Sequence, residues 1–161
     1  MTGYENMPPS ARTWIYQSSR PFTSEEIPVV NQLLEEFATQ WVRHGKLLKS
    51  WAGILHRQFI VLMVDEEALS AGGCSIDAST RMLKQIEHTY QLNLFDRLTI
   101  AYRNENGQIA TAPRHAFEAL LAQGIVTDNT PVFNNLISTK SGLETEWEVP
   151  LHQSWHKKLI G

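Results

Sequence analysis

Six consecutive apolar residues, Phe59-Ile60-Val61-Leu62-Met63-Val64, form the longest such run in this chain of 161 residues. A run this short and this rich in β-formers, stopped by Asp65-Glu66-Glu67, reads as a buried strand. It falls far short of the roughly 20 residues needed to span a bilayer. The stretch that it opens, from Phe59 to Leu94, organises the chain. After it come a small-residue loop, Ser70-Ala71-Gly72-Gly73-Cys74-Ser75, and a helical pattern for which Asp77 is the best N-cap. A buried strand ending in carboxylates, followed by a glycine loop feeding a helix, is a common way to build a ligand site. Ser70, Gly72, Gly73, Ser75 and Asp77 are therefore the candidate ligand-binding loop, with Asp65 and Glu66 as candidate catalytic carboxylates.

The rest of the pattern supplies the neighbours. Residues 1–12, with Pro8-Pro9, read as a flexible lead-in, and a single domain is expected over 13–161. Thr13 to Gln17 is a first strand, broken at Arg20-Pro21. Thr23-Ser24-Glu25-Glu26 fits a capping box, with Phe22 and Ile27 as its hydrophobic staple. Ile27, Val30, Leu34, Phe37 and Trp41 then recur at helical steps, Pro28 weakens one backbone bond, and Gly45 is the expected stop. Leu48 to His56 and Gln58 to Val64 are either a hairpin around Arg57-Gln58 or one bent strand.

Met82, Leu83, Ile86 and Tyr90 give the inner face of the second helix. Arg97 to Arg103 alternates and turns back at Asn104-Glu105-Asn106-Gly107 into a hairpin with Gln108 to Thr111. Pro113 opens a third helix, over Phe117, Leu120 and Leu121, and Gly124 closes it. Thr130 to Ile137 reads as a strand, Thr139 to Trp147 as helical, and His152 to Leu159 as a short last helix. The order predicts an α+β fold, with an antiparallel or mixed sheet and helices packed on one face.

Charge and cysteine content narrow the classes. A net charge of −3, with no Lys/Arg run longer than Lys157-Lys158, leaves no basic footprint for nucleic acid. The one cysteine, Cys74, excludes an intramolecular disulfide and fits a reducing compartment. No secretory signal or membrane span appears, so a cytoplasmic location and no membrane partner are expected.

Phe59 to Glu66 has the form of a Walker B element, and Leu69-Ser70-Ala71-Gly72-Gly73 is similar to the signature loop of ABC transporter ATPases. With Trp14-Ile15-Tyr16-Gln17, Gly73-Cys74-Ser75-Ile76-Asp77, Phe133-Asn134-Asn135-Leu136 and Ser154-Trp155-His156, the chain resembles a family of small bacterial proteins of about this length. Some of these carry an "ABC transporter ATPase" label, but the resemblance implies no defined activity. The label fails on chemistry. Phosphate binding of that kind needs a G-x-x-x-x-G-K-[ST] cradle. The only Gly-Lys pair, Gly45-Lys46, has Gln40 where the first glycine belongs and Leu47 after it. The two motifs also stand in reversed order. Phe117 to Phe133 is similar to the second half of GYF-type adaptor modules, yet their Gly-Tyr-Phe triplet is missing, so only a compact hairpin-helix unit is implied.

Three further features carry chemistry on paper. Cys74, close to a helix start, has the setting of an activated thiolate, although a small buried thiol is the commoner state. His152 and His156, at i and i+4, have the spacing of a metal half-site, without a Cys-x-x-Cys or His-Glu-x-x-His beside them. Five Trp, including Trp147 and Trp155, fit either an interface or the closing of a core. No complete catalytic or cofactor signature emerges and no cofactor is expected. The first functional expectation is a non-catalytic binding or protein-interaction module, self-association included. The alternative is a nucleotide-binding or thiol-dependent enzyme centred on the Asp65–Asp77 loop.

Overall fold

A computed structural model describes residues 3–159. Helices and antiparallel sheets occur together, so the fold is α+β. The chain forms two compact units. One holds the residues up to Phe95 together with Ser138–Ser141; the other holds Asp96–Ile137 and the residues from Gly142 on. Among the described residues no helix is long and apolar enough to cross a membrane.

In the first unit the six-residue apolar run is β5 (Phe59–Val64), the middle strand of a three-stranded sheet. Its neighbours are β1 (Arg12–Gln17) and β4 (Ser50–Leu55), both antiparallel to it. Ile60, Leu62 and Val64 join one core with Val30 and Leu34 of α1 (Glu26–Gln40) and Leu83 and Ile86 of α2 (Gly73–Tyr90). Phe59, Val61 and Met63, which point to the opposite face, are buried as well. That is why alternation is absent from this stretch. Each sheet edge makes hydrogen bonds beyond the ladder. On the β1 side, Thr13 N–H donates to the Ser138 carbonyl at 2.9 Å and Lys140 N–H to the Ala11 carbonyl at 3.0 Å. On the β4 side, Asn31 Oδ1 of α1 accepts Ile54 N–H at 3.0 Å.

The residues expected as a lead-in make a 3₁₀ turn, Tyr4–Asn6, and Met7 and Ala11 are buried. The buried Lys140 ammonium donates to the Met7 carbonyl at 2.8 Å and to that of Glu5 at 3.3 Å. Trp51 folds back over Gly53 and packs against the Tyr4 ring, with centroids 5.3 Å apart.

The capping box opens α1 as its sequence predicts. Glu26 N–H donates to Thr23 Oγ at 3.1 Å, and Thr23 N–H returns to Glu26 Oε1 at 2.9 Å. Ile27 N–H reaches the Thr23 carbonyl at 3.0 Å, but Pro28 has no N–H to offer the next one. Regular helix is therefore counted only from Glu26. Gly45 does not stop this helix. The helix ends at Gln40, and His44 and Gly45, both with positive φ, turn a small hairpin of β2 (Val42–Arg43) and β3 (Lys46–Leu47). The open choice at Arg57 resolves as a hairpin, with His56 and Arg57 both left-handed between β4 and β5.

The second unit is a four-stranded sheet in the order β7-β6-β8-β9, formed by β6 (Thr99–Arg103), β7 (Ile109–Pro113), β8 (Pro131–Phe133) and β9 (Glu148–Pro150). Helix α3 (Arg114–Ala122) follows Pro113 and ends just before Gly124, whose φ is +74°. Its Phe117 meets Ile100, Val132 and Leu151 in the core. Strand β8 is shorter than its β-rich sequence suggests. Asn134 Oδ1 captures the Leu136 N–H at 3.1 Å, and that local turn competes with the ladder. Helix α4 is limited to Lys140–Thr145. Residues 152–159 are not one helix but two 3₁₀ turns, Leu151–Gln153 and Trp155–Leu159, separated by extended backbone at Ser154.

Candidate functional site

The carboxylates that end β5 are committed to their own chain. Asp65 is buried; its Oδ1 accepts the Glu67 N–H at 3.1 Å and its Oδ2 lies 3.5 Å from Lys49 Nζ. Glu66 Oε2 accepts the Ala71 N–H at 2.8 Å and stands 3.6 Å from Arg12. Both side chains close the turn that leads away from the strand.

The glycine loop is held in the same way. Ser70 accepts Arg43 Nη1 through its hydroxyl at 2.6 Å and its carbonyl at 3.1 Å. A Cβ on Gly72 would stand 3.2 Å from the Arg43 Nε, so the guanidinium lies against this backbone. Helix α2 begins at Gly73, four residues before the expected cap. The group that organises its start is Ser75, not Asp77. Ser75 Oγ accepts Gly72 N–H at 3.3 Å and donates to the Val42 carbonyl at 2.8 Å, while Trp41 Nε1 donates to the Ser75 carbonyl at 2.8 Å. Asp77 is exposed within the helix. Cys74 is exposed on the first turn and is not the small buried thiol that is the commoner state.

His152 and His156 do not form a half-site. The break at Ser154 removes the helical face that their spacing presumed, leaving His152 exposed and His156 buried. His156 Nδ1 is 2.7 Å from Ser154 Oγ and its ring stacks on Trp155 at 3.9 Å. Burial pushes its pKa down to about 4. Among the described residues, no three His, Cys, Asp or Glu side chains stand close enough together to hold a metal ion. Trp147 belongs to a core. Its ring lies 5.3 Å from that of Phe133 and its Nε1 donates to Asn135 Oδ1 at 2.9 Å.

A different surface of the first unit has the form of a binding site. A groove of about 740 Å³ is lined by Leu33 of α1 and by residues of α2 between Arg81 and Tyr90. Its apolar wall comes from the partly buried Met82 and Tyr90, with the buried Ile86 between them and Leu33 42% exposed. Arg81, Lys84 and His88 also line it, and no carboxylate does. Another groove, of about 650 Å³, runs between α1 and β4 with Glu35, Lys49 and Trp51 in its wall. Neither takes a residue from 65–77.

The signals for the α2 groove were present in the sequence. Val29 and Leu33 are apolar yet fall off the face set by Val30, Leu34 and Phe37, while Arg81, Lys84 and His88 recur at helical steps. No family model, curated protein or solved structure matches the chain.

Proposed function

We propose that this chain is a non-catalytic protein-interaction module that receives an apolar segment of a protein in the α1/α2 groove. The observation that carries the reading is the exposed Leu33 of α1 beside the partly buried Met82 and Tyr90 of α2. A concave strip between two helices, with long flexible Met and aromatic side chains, is the form that accepts an amphipathic segment. Both carboxylates of the alternative site already serve the turn between β5 and α2, which weakens the enzymatic reading. A photo-crosslinking residue placed at Gln85, within the groove, tests the reading in expressing cells against the same residue at Glu118 on α3. Discrete protein adducts are expected from position 85 alone. Equal labelling from both positions, or none from either, would contradict the reading.

A further inference from the structure

We infer that the occupant of this groove is a second copy of the chain, whose α1 outer face enters it; the inference rests on the interaction reading above. The complement of the groove is found on the helix beside it. Around α1, at 100° per residue, Leu33, Val29 and Glu36 follow one another along the flank of the face set by Val30, Leu34 and Phe37, with Gln32 beyond them on the far side. Val29 is 52% exposed and Leu33 42%, on the flank of a helix whose inner face is packed into the core. The charged residues of α1 are Glu26, Glu35 and Glu36, with no Lys or Arg among its residues. Glu26 is held by Arg20 and Glu35 lines the groove on the β4 side, while Glu36, which accepts Gln32 Nε2 at 3.3 Å, stands beside the exposed apolar pair.

On α2, Arg81, Lys84 and His88 are spaced i, i+3 and i+7, along one side of the helix. Asp77 lies one turn before Arg81 and does not line the groove. One helix thus offers apolar residues with an acidic neighbour, and the adjoining groove offers an apolar wall with a basic border. Two copies related by a two-fold axis satisfy both at once, since such an interface uses the same patch twice. Leu33 then takes part on both sides, as a groove residue of its own copy and an inserted residue of the other. The exposed face of α1 is about 22 Å long at 1.5 Å per residue, ample for the core of an interface.

The pairing predicts a charge-exchange experiment on the full chain. Wild-type protein is expected to show a mass rising with concentration toward twice the chain mass in sedimentation equilibrium. Glu36→Lys places like charges across the interface twice, as does Lys84→Glu, and each variant alone is expected to dimerise about tenfold or more weakly. Mixed in equal amounts, they regain both opposite-charge contacts, and the heterodimer is expected near wild-type affinity. A monomer at every concentration, or a dimer indifferent to both reversals, overturns the inference. So does a mixture no stronger than its parts. Circular dichroism of each variant separates loss of pairing from loss of fold. Adducts from position 85 to a different protein would leave the interaction reading standing while the second copy fails.

Discussion

The Trp41 indole donates to the Ser75 carbonyl at 2.8 Å, joining the residue that follows α1 to the first turn of α2 across 34 positions of chain. With the Ser75 hydroxyl bound to Val42, this fixes where α2 begins and how the glycine loop before it must run. The loop that most resembles a ligand site is the β5–α2 connection, pinned to the residues that follow α1.

Ser75→Ala should therefore cost about 1–2 kcal/mol, since it removes an acceptor for Gly72 N–H and the donor to Val42. Asp77→Ala, at an exposed position, should stay within about 0.5 kcal/mol of wild type. Urea unfolding of both checks the order. A larger loss at Asp77 would restore it as the cap.

Gly53→Ala is expected to cost about 1–3 kcal/mol by overpacking. A Cβ there would stand 2.5 Å from the Trp51 ring, which must swing away from Tyr4. A shift in tryptophan emission together with a lower urea midpoint is the expected pair of results. An unchanged spectrum would mean that the indole does not lie over Gly53.

Acid should weaken the fold in two windows. The His156 pKa is lowered to about 4 by burial, so the folded state binds fewer protons there than the unfolded chain, whose His titrates near 6.5. Its contribution is full above that value and is lost as pH falls from about 6.5 toward 4, up to about 3 kcal/mol. His156→Gln should flatten that slope in urea titrations between about pH 7.5 and 4.5. Glu26, lowered to about 2 by its bonds to Arg20 and to Thr23 N–H, adds a second loss as pH falls from 4.5 toward that value. Arg20→Met should reduce this lower slope, since the Thr23 bonds remain, and leave the upper one intact.

What the chain reveals in advance is what it settles locally. The Thr23–Glu26 capping box, the six-residue buried strand, the Asn104–Gly107 turn and the Pro113 and Gly124 ends of α3 each depend on residues a few positions apart. The start of α2 was illegible because its determinants, Trp41 and Val42, stand more than thirty residues away from Ser75. Gly45 permits a helix stop and a hairpin turn equally, and only the β2–β3 pairing decides. His152 and His156 failed because the sequence spacing presumes an α-helix that Ser154 interrupts. The groove was half visible: Val29 and Leu33 lie off the packed face of α1, but which helix stands beside them is a matter of tertiary structure.

Amide hydrogen exchange most directly separates the groove from the loop. As protein concentration rises from low micromolar toward millimolar, amides of α1 and of residues 81–90 should exchange more slowly, while α3 stays unchanged. Magnesium with ATP at low protein concentration should leave residues 66–75 unaffected. Protection of that loop by the nucleotide, with no concentration response along α1 and α2, would contradict the account and return the site to Asp65–Asp77.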